Sequence, residues 1–337
     1  MSAARRGRRP AAAARPGLGL AFGLVLVGLL EVGARIAGYE AAYQPDLIGG
    51  WRMVGEATDK IVTGTREPHR FHLTTNADGL RTTLRRARSA DRRRVAVMGD
   101  STTFGWGADE QGTVADGLGR GLSDAGLGEV EVMNAGQPGY TTVQVARFFA
   151  AIVSEYRPDL VIVFLPMHDH NLVLVSDLEH LRGASGLLPR ARVGLATRSR
   201  LYEALRRMIF PLATKPFLVA GQEETAEPRV PRVSDTERAQ VLEEMAATLK
   251  GWGGRLAVGH LPFIQDLTSA SPQSRPGSDW AAAWTAETGT PLVDLRACCG
   301  PDGGGLVFDF DPGHLTAEGN LRAGRYGAAQ VAALLGG

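Results

Sequence analysis

The sequence has few of the features that identify a disulfide-bonded scaffold or a nucleic-acid-binding protein. Its only cysteines, Cys298 and Cys299, are adjacent. Neighbouring Cα atoms lie about 3.8 Å apart, below the usual disulfide range, so we expect two thiols, with a strained vicinal bridge as the alternative. The formal net charge is only +1. A charge so near zero gives no reason to expect a nucleic-acid partner.

The first thirty residues contain no acidic side chain and end in a long apolar run. Arginines crowd the first sixteen positions, and the apolar run extends over 13 residues from Leu18 to Leu30. A basic flank followed by an apolar run is typical of a membrane anchor or an export signal. We expect a basic cytoplasmic tail over 1–16 and an uncleaved transmembrane anchor over 17–38. A cleaved signal ending near Ala34 is the alternative, and both export the rest of the chain to the periplasmic or extracellular face.

The remainder has the composition of a globular protein, since 44% of the residues are hydrophobic and 22% are charged. Such a composition supports a packed core. Residues 39–92 show weak periodicity and many basic side chains, which indicates a stalk or lead-in that wraps the domain. Regular alternation begins at residue 93, so we expect one domain over 93–337.

Short apolar runs alternate with longer amphipathic stretches in this domain. The runs predict strands near 95–98, 130–133, 160–165, 256–258 and 291–294. The stretches predict helices near 113–125, 142–156, 278–288 and 316–335, and a capping box at 234–237 opens another. This alternation predicts an α/β fold with a doubly wound, mostly parallel five-stranded sheet, flavodoxin-like and three-layered.

One insertion, over 172–233, interrupts this alternation. Its clearest feature is an amphipathic pattern at 198–210, where apolar residues share one face and arginines lie off it. The pattern predicts a helix that either packs on the body of the domain or serves as a lid or membrane-facing element.

Polar, glycine-rich loops follow the predicted strands, and ligands of such sheets bind beyond the carboxyl ends of the strands. Ser101 follows the first strand in a glycine-flanked turn, where backbone N–H groups are available as donors. A nucleophilic serine needs a base, and His314 provides one. Asp311, three residues earlier, can hold that imidazole in the tautomer that accepts the serine proton. We predict a Ser101–His314–Asp311 triad, which needs neither metal nor cofactor.

These loops resemble the blocks of the SGNH/GDSL hydrolase family. Gly99-Asp-Ser101 resembles the nucleophile block, Asn134–Gly139 the second block, and Asp311-x-x-His314 the last, in the family's order over about 93–335. Upstream, Asn76-Ala-Asp-Gly-Leu-Arg81 looks like the lead-in of membrane-anchored bacterial members. The resemblance implies an acyl-enzyme mechanism and an oxyanion hole that includes the N–H groups of Ser101 and Gly139.

The third block departs from the family pattern, in which an asparagine directly precedes an aspartate and donates to the oxyanion. Here the pair is His168-Asp169. We expect the His168 imidazole N–H to substitute, with Asn171 as the alternative donor. Loop packing, or a metal site formed with Asp169 and His170, is a further interpretation of His168. Losing one oxyanion donor lowers the rate by about a hundred- to a thousandfold. The replacement of the family asparagine by His168 therefore bears on catalytic efficiency.

The sequence therefore predicts an exported serine esterase without cofactor that acts on an acylated small molecule, glycan or lipid. One alternative is an O-acyltransferase that uses the same triad on an envelope glycan. Another is a non-catalytic glycan-binding or envelope-assembly protein on the same scaffold. His260, at the end of the fourth predicted strand, either packs in the core or lines the substrate cleft.

Overall fold

A computed structural model describes most of the chain. The described residues are 16–36, 43–58, 60–63, 70–88, 91–128, 130–183, 186–202, 204–205, 229–301 and 303–336. They divide into two compact units, the smaller from residues 1–40 and 194–223 and the larger from residues 41–193 and 224–337.

The smaller unit contains helix α1, Pro16–Ile36. Its segment Gly19–Ile36 has a mean hydropathy of 1.8, none of it is buried, and it is long and apolar enough to cross a membrane. A helix with these properties near the N-terminus suits an anchor and an export signal equally. Near its end, the Glu31 carboxylate accepts hydrogen bonds from the backbone N–H groups of Arg200 and Leu201.

The larger unit contains the strands and the remaining helices. The strands are β1 Tyr43–Asp46, β2 Gly50–Met53, β3 Lys60–Thr63, β4 Arg70–Leu73, β5 Arg93–Met98, β6 Val130–Asn134, β7 Leu160–Phe164, β8 Leu172–Val173, β9 Val230–Pro231, β10 Arg255–His260, β11 Leu292–Asp294, β12 Val307–Phe308 and β13 Asp311–Leu315. The helices are α2 Ser101–Phe104, α3 Val114–Asp124, α4 Thr142–Ala151, α5 Asp177–Gly183, α6 Leu187–Arg198 (which runs on into the smaller unit), α7 Asp235–Lys250, α8 Ile264–Leu267, α9 Pro276–Thr288 and α10 Ala317–Gly336.

Five parallel strands form the central sheet in the order β6-β5-β7-β10-β11. Numbered by appearance within the sheet this is 2-1-3-4-5, the flavodoxin-like order, in which ligands bind where the order reverses. The fold class predicted from the sequence is therefore confirmed. The reversal falls between β5 and β7, so the loops after these two strands lie at the expected ligand position.

Two apolar cores cover the faces of the sheet, because alternate residues of each strand point to opposite sides. One core receives Ala96, Met98, Val161, Val163 and Val258, together with side chains of α4, α7 and α9. The other receives Val95, Val97, Leu160, Ile162 and Ala257, together with side chains of α3 and α10. Helices on both faces produce the three-layered architecture.

Helices α3 and α10 approach so closely that glycine is required where they meet. A Cβ atom on Gly324 would lie 2.3 Å from the carbonyl oxygen of Val114 and 2.5 Å from the amide nitrogen of Leu118. A Cβ atom on Gly117 would lie 2.6 Å from the carbonyl oxygen of Leu321. Since backbone atoms line both contacts, a side chain would have to separate the helices.

Two predicted helices have different bounds in the structure. The helix expected over 142–156 ends at Ala151 and continues as a 3-10 turn, Val153–Tyr156, because Pro158 follows and the chain cannot remain helical. The helix expected over 198–210 is interrupted at Ser199, whose hydroxyl accepts from the backbone N–H of Tyr202 and so starts a new helix. Residues 203 and 206–228 lie outside the described part of the chain.

Two further features differ from the sequence interpretation. The lead-in over 39–92 is not irregular, since it contains the antiparallel pairs β1–β2 and β3–β4. Cys298 and Cys299 are joined by a vicinal disulfide, so the expectation of two thiols is wrong. The two sulfur atoms meet because both residues lie in the irregular segment after β11, where no helix or strand directs them apart.

We expect Gly324→Ala to lower the free energy of unfolding by at least about 1 kcal/mol, since overpacking a tight contact commonly costs 1–3 kcal/mol. Denaturant unfolding measures the change. Gly336→Ala is the matched control in the same helix, because a Cβ atom there meets nothing within 4 Å. Equal midpoints for the two variants would contradict the close approach of α3 and α10.

Candidate active site

The loop after β5 holds Ser101 at the first position of α2. Asp100 precedes it, is 1% exposed, and accepts hydrogen bonds from the backbone N–H and the hydroxyl of Thr102 at 2.9 and 2.7 Å. Its other carboxylate oxygen accepts from the backbone N–H of Met167 at 3.2 Å. Asp100 thus ties the Ser101 loop to the loop after β7.

A continuous hydrogen-bonded chain joins the three residues of the predicted triad. Ser101 Oγ lies 2.7 Å from His314 Nε2, and His314 Nδ1 lies 2.9 Å from Asp311 Oδ2. A carboxylate can only accept, so the proton between Asp311 and His314 belongs to Nδ1. Nε2 then carries a free lone pair directed at the Ser101 hydroxyl.

Gly139 lies in the loop that follows β6, with a left-handed φ of +81°. A side chain is unfavourable there for two reasons, since that φ strains residues other than glycine and a Cβ atom would lie in tight contact, 3.2 Å, with the ring of Trp51. The backbone N–H of Gln137, two residues earlier, donates to the carbonyl of Gly99 at 3.0 Å. The Gly139 loop is therefore fastened directly to the Ser101 loop.

His168 lies in a 3-10 turn, Met167–His170, directly after β7. Its Nε2 atom is 3.9 Å from Asp100 Oδ2, which is too long for a hydrogen bond but places the ring beside the Ser101 loop. The side-chain amide of Asn171 lies 3.4 Å from His168 Nδ1. An amide N–H donated to Nδ1 leaves the ring proton on Nε2, the atom nearer the nucleophile loop.

Asp169 points away from these rings into the protein. Its carboxylate accepts from the backbone N–H and hydroxyl of Thr142 at 2.8 and 2.6 Å, and from Arg238 Nε at 3.0 Å. Burial raises the pKa of Asp169, while Arg238 and Thr142 favour its charged form. This buried pair fixes the His168 turn to the starts of α4 and α7.

The alternative metal site at His168, Asp169 and His170 therefore lacks its carboxylate, which Thr142 and Arg238 occupy. Across the described ranges, no group of three or more histidine, cysteine, aspartate or glutamate side chains could hold a metal ion.

His260 ends β10 at the same edge of the sheet and is 7% exposed. Burial, followed by the positive charge of Arg296, lowers its pKa to about 4, while Asp294 acts in the opposite direction. Its Nε2 atom has no hydrogen-bond partner among the described residues. His260 is thus held neutral inside the protein at physiological pH.

Arg81 is a site residue whose role sequence reasoning missed. Its guanidinium is buried and donates to the carbonyl oxygens of Phe104, Gly105 and Ala108, at 3.1, 2.8 and 2.6 Å. The carbonyls of Phe104 and Gly105 end the short helix that begins at Ser101, and that of Ala108 follows the next turn, so Arg81 holds the nucleophile helix at its C-terminal end. The Asn76–Arg81 motif was visible in the sequence, but the identity of its distant acceptors was not.

The β1–β2 hairpin was also missed, and it lies against the Gly139 loop. The indole N–H of Trp51 donates to the carbonyl of Pro138 at 3.0 Å. The side chain of Gln137 accepts from the backbone N–H of Met53 at 2.9 Å and donates to the carbonyl of Gly79 at 3.2 Å. The weak periodicity of the lead-in did not predict this hairpin. Its tryptophan, Trp51, was the one residue in the sequence that indicated packing there.

A doubly wound parallel sheet that carries a serine hydroxyl and an imidazole in hydrogen-bond contact at its carboxyl edge has the layout of an α/β protein with a candidate hydrolytic site. The family follows from a match over residues 97–322 to the sequence model of the GDSL-like lipase/acylhydrolase family. This match covers about two thirds of the chain, which therefore belongs to that family and is an ester hydrolase.

No curated protein sequence matches the chain, whereas several solved structures are similar to it. One is a putative lipolytic protein of the G-D-S-L family from Desulfitobacterium hafniense DCB-2, with 15% identity, a TM-score of 0.41, and coverage of 71% of this chain and 99% of that one. Another is the psychrotrophic esterase EstA from Pseudoalteromonas sp., with 12% identity, a TM-score of 0.42, and coverage of 72% and 99%. A lipase/acylhydrolase from Enterococcus faecalis has 16% identity, a TM-score of 0.40, and coverage of 72% and 96%.

We expect Gln137→Met to lower both stability and kcat. The change keeps the volume but leaves the Met53 N–H and the Gly79 carbonyl without their partner, and each unpaired buried group costs about 1–3 kcal/mol. The loop that bears Gly139 then loses two of its attachments. Denaturant unfolding and ester turnover measure the effects, with Gln240→Met, on the exposed face of α7, as the control. A variant that matched the control in both measurements would show that these bonds are dispensable.

The low pKa of His260 predicts a specific pH dependence of stability. The unfolded chain binds the proton below about pH 6.5, whereas the folded protein binds it only near pH 4, so stability falls as the pH falls between these values. We expect His260→Gln to flatten the stability curve in this range. His180→Gln, at an exposed position of α5, is the control. An unchanged slope in His260→Gln would mean that His260 is not buried in the neutral form.

Proposed function

We propose that the chain is an exported serine esterase in which Ser101 is the nucleophile, His314 the general acid–base and Asp311 the residue that orients His314. The observation that carries this proposal is the unbroken chain of 2.7 and 2.9 Å contacts from Ser101 Oγ to the Asp311 carboxylate. Serine hydroxyls are weak nucleophiles at neutral pH, so a base already in contact with Oγ is the decisive requirement.

The reaction then follows from the direction of these hydrogen bonds. Ser101 Oγ attacks the acyl carbonyl as its proton passes to His314 Nε2, and the imidazolium that forms is stabilised by Asp311. His314 returns this proton to the leaving alcohol, which departs and leaves an acyl-enzyme. Water attacks the acyl-enzyme with the same base and releases the acid. General acid–base catalysis of this kind accelerates the reaction by about a hundred- to ten-thousandfold.

The developing oxyanion is assigned three donors. These are the backbone N–H groups of Ser101 and Gly139 and the Nε2–H of His168, with Asn171 as the alternative to His168. The Asn171 amide beside Nδ1 supports the tautomer that this assignment needs. The glycine at 139, with Trp51 against it, supports a loop whose backbone approaches the substrate without a side chain.

The proposed topology places this site outside the cytoplasm. Helix α1 is the anchor, and the basic residues before it remain on the cytoplasmic side, as the positive-inside rule requires. The domain boundaries expected from the sequence, with a catalytic domain over 93–337, are extended in this proposal to include the lead-in strands. An ester on an envelope glycan or a lipid is the substrate class that an exported site encounters.

A fluorophosphonate probe tests the nucleophile. The full-length protein in detergent is expected to react covalently, and Ser101→Ala is expected to lose all labelling, since the probe requires an activated serine. Ser154→Ala is the control, because the hydroxyl of Ser154 donates to the backbone carbonyl of Ala150 near the end of α4. Labelling that persists in Ser101→Ala, or a wild-type protein that is not labelled, would refute the catalytic assignment and favour a binding protein.

The His168 assignment is tested by substitution. We expect His168→Ala to lower kcat by about a hundred- to a thousandfold, as the loss of one oxyanion donor does, with little change in KM. His168→Asn restores a donor and is expected to recover most of the rate. Steady-state kinetics on a soluble ester separates the two constants. If His168→Ala retains full kcat while Asn171→Ala loses it, the third donor is Asn171.

The free carboxylic acid among the products distinguishes ester hydrolysis from acyl transfer to an acceptor. Product analysis with and without a hydroxylated acceptor glycan is expected to give the free acid in both cases. Acylated acceptor as the main product would identify an acyltransferase that uses the same triad.

A further inference from the structure

Helix α6 exposes its leucines and buries an alanine. Leu187 and Leu188 are each 83% exposed, and Leu195 is 53% exposed. Ala196, by contrast, is buried. Leu188 and Leu195 are seven residues apart, so they lie on the same side of the helix, two turns from each other. A helix on the surface of a soluble protein directs its apolar side inward. The outward leucines of α6 therefore mark an interaction surface.

Arginines flank these leucines. At 3.6 residues per turn, Arg190 lies on one side of the leucines, Arg192 lies on the other, and Arg198 lies among them. All three arginines are exposed. No acidic residue occurs between Glu179 and Glu203, so no neighbour in the sequence offsets their charge. The three leucines and three arginines are called the α6 face below. Leucines beside arginines are typical of a helix that lies in the plane of a membrane surface.

The C-terminal end of α6 is bonded to the apolar helix α1 within the smaller unit. Arg35 of α1 donates to the carbonyl of Arg198 at 2.8 Å. The Glu31 carboxylate accepts from the hydroxyl of Ser199 at 2.8 Å, in addition to the two backbone N–H groups described above. Glu31 and Arg35 also pair with each other at 2.8 Å. The end of the α6 face is therefore fixed to the helix that is proposed to cross the membrane.

The position of Glu31 in α1 sets the level of this attachment relative to a bilayer. Glu31 lies five residues before the end of α1 at Ile36, which is about 8 Å along the helix axis. In the proposed topology, this end of α1 is on the exported side. Interfacial helices bury their apolar side about 5–10 Å into the boundary between headgroups and acyl chains. The segment bonded to Glu31 is thus at the depth of an interfacial helix.

We propose that the α6 face binds the exported-side surface of the membrane, with its leucines among the acyl chains and its arginines at the headgroups of anionic phospholipids. The inference rests on the proposed anchor, since α1 is the element that brings α6 to the bilayer. A bilayer accounts for the leucines, the arginines and the attachment to an apolar helix, whereas a soluble partner does not account for the attachment. The insertion is then a second membrane contact, at the level where lipid-borne esters are present.

Nitroxide quenching tests the α6 face in the full-length protein, reconstituted in nanodiscs. A fluorophore on Leu195→Cys is expected to be quenched by lipids that carry a nitroxide near the headgroup, and more strongly in discs with phosphatidylglycerol than in discs of phosphatidylcholine alone. The native cysteines do not take up the dye, because they form a disulfide. Gln240→Cys, at an exposed position of α7, is the matched control and is expected to escape quenching.

The arginines are tested in the same discs. With the probe at position 195, the double variant Arg190→Gln, Arg192→Gln is expected to lower the ratio of quenched to unquenched probe by roughly five- to twenty-fivefold, since each arginine at an anionic surface strengthens binding about fivefold. The control is Arg322→Gln, Arg325→Gln, which removes two exposed arginines from α10 and is expected to leave the ratio unchanged.

Three results would overturn the inference. In one, the Leu195 probe is as accessible to aqueous iodide as the Gln240 probe. In another, quenching is equal in both lipids and insensitive to the arginine substitutions, which removes the headgroups from the assignment. In the third, the Leu195 probe is shielded from iodide without being quenched by the nitroxide lipid, which assigns the α6 face to a protein contact.

A second probe separates this inference from the proposed anchor. Leu24 lies near the middle of α1 and is 65% exposed, so Leu24→Cys reports on the anchor. Quenching of the Leu24 probe by a nitroxide deep in the acyl region, without quenching of the Leu195 probe, supports the anchor and refutes the α6 inference. Quenching of the Leu195 probe alone refutes the anchor and leaves α6 as the membrane contact. Neither outcome depends on catalysis, which the fluorophosphonate probe tests separately.

Discussion

The proposed chemistry depends on the hydrogen bond between Ser101 and His314, and the arrangement of the domain brings these two residues into contact. The two residues are 213 positions apart, and their side-chain atoms lie 2.7 Å from each other. This distance is reached only when β5 lies between β6 and β7 in the sheet and the β12–β13 hairpin brings Asp311 and His314 to the same edge. The close approach of α3 and α10 through glycines holds the final helix, and thus the segment that precedes it, against the body.

The strands could be predicted from the sequence because each has a local signal, and the sequence also predicted the three residues that the structure brings into hydrogen-bond contact, Ser101, His314 and Asp311. Buried parallel strands are short apolar runs, and the capping box at Ser234 begins α7 as expected, with Glu237 donating its backbone N–H to the serine hydroxyl. The contacts of Arg81 and of Asp169 could not be predicted. The local sequence does not show whether an arginine is buried or exposed. Only the fold shows which carbonyl or carboxylate oxygens accept its hydrogen bonds.

In the proposed oxyanion hole, the histidine at position 168 differs in its donor chemistry from the asparagine of the family pattern. An asparagine amide donates whatever the pH, whereas a neutral imidazole donates from only one nitrogen. The neighbouring Asn171 makes this difference tolerable, since its amide directs the ring proton to Nε2. Asp169 meanwhile keeps the backbone of the turn fixed through Arg238 and Thr142. On the proposed assignment, a histidine serves where an asparagine is usual, and Asn171 and Asp169 are the neighbours that position it.

The lead-in changes the definition of the catalytic unit. The family match begins at residue 97, yet the hairpin that contains Trp51 bonds to the Gly139 loop, and Arg81 bonds to the end of the nucleophile helix. Residues between the apolar helix and the sheet therefore do more than connect them. Since an oxyanion donor a fraction of an ångström out of place loses most of its effect, the segment nearest the proposed anchor also bears on catalysis. The proposed catalytic domain then begins at the β1–β2 hairpin, about fifty residues before the first strand of the sheet.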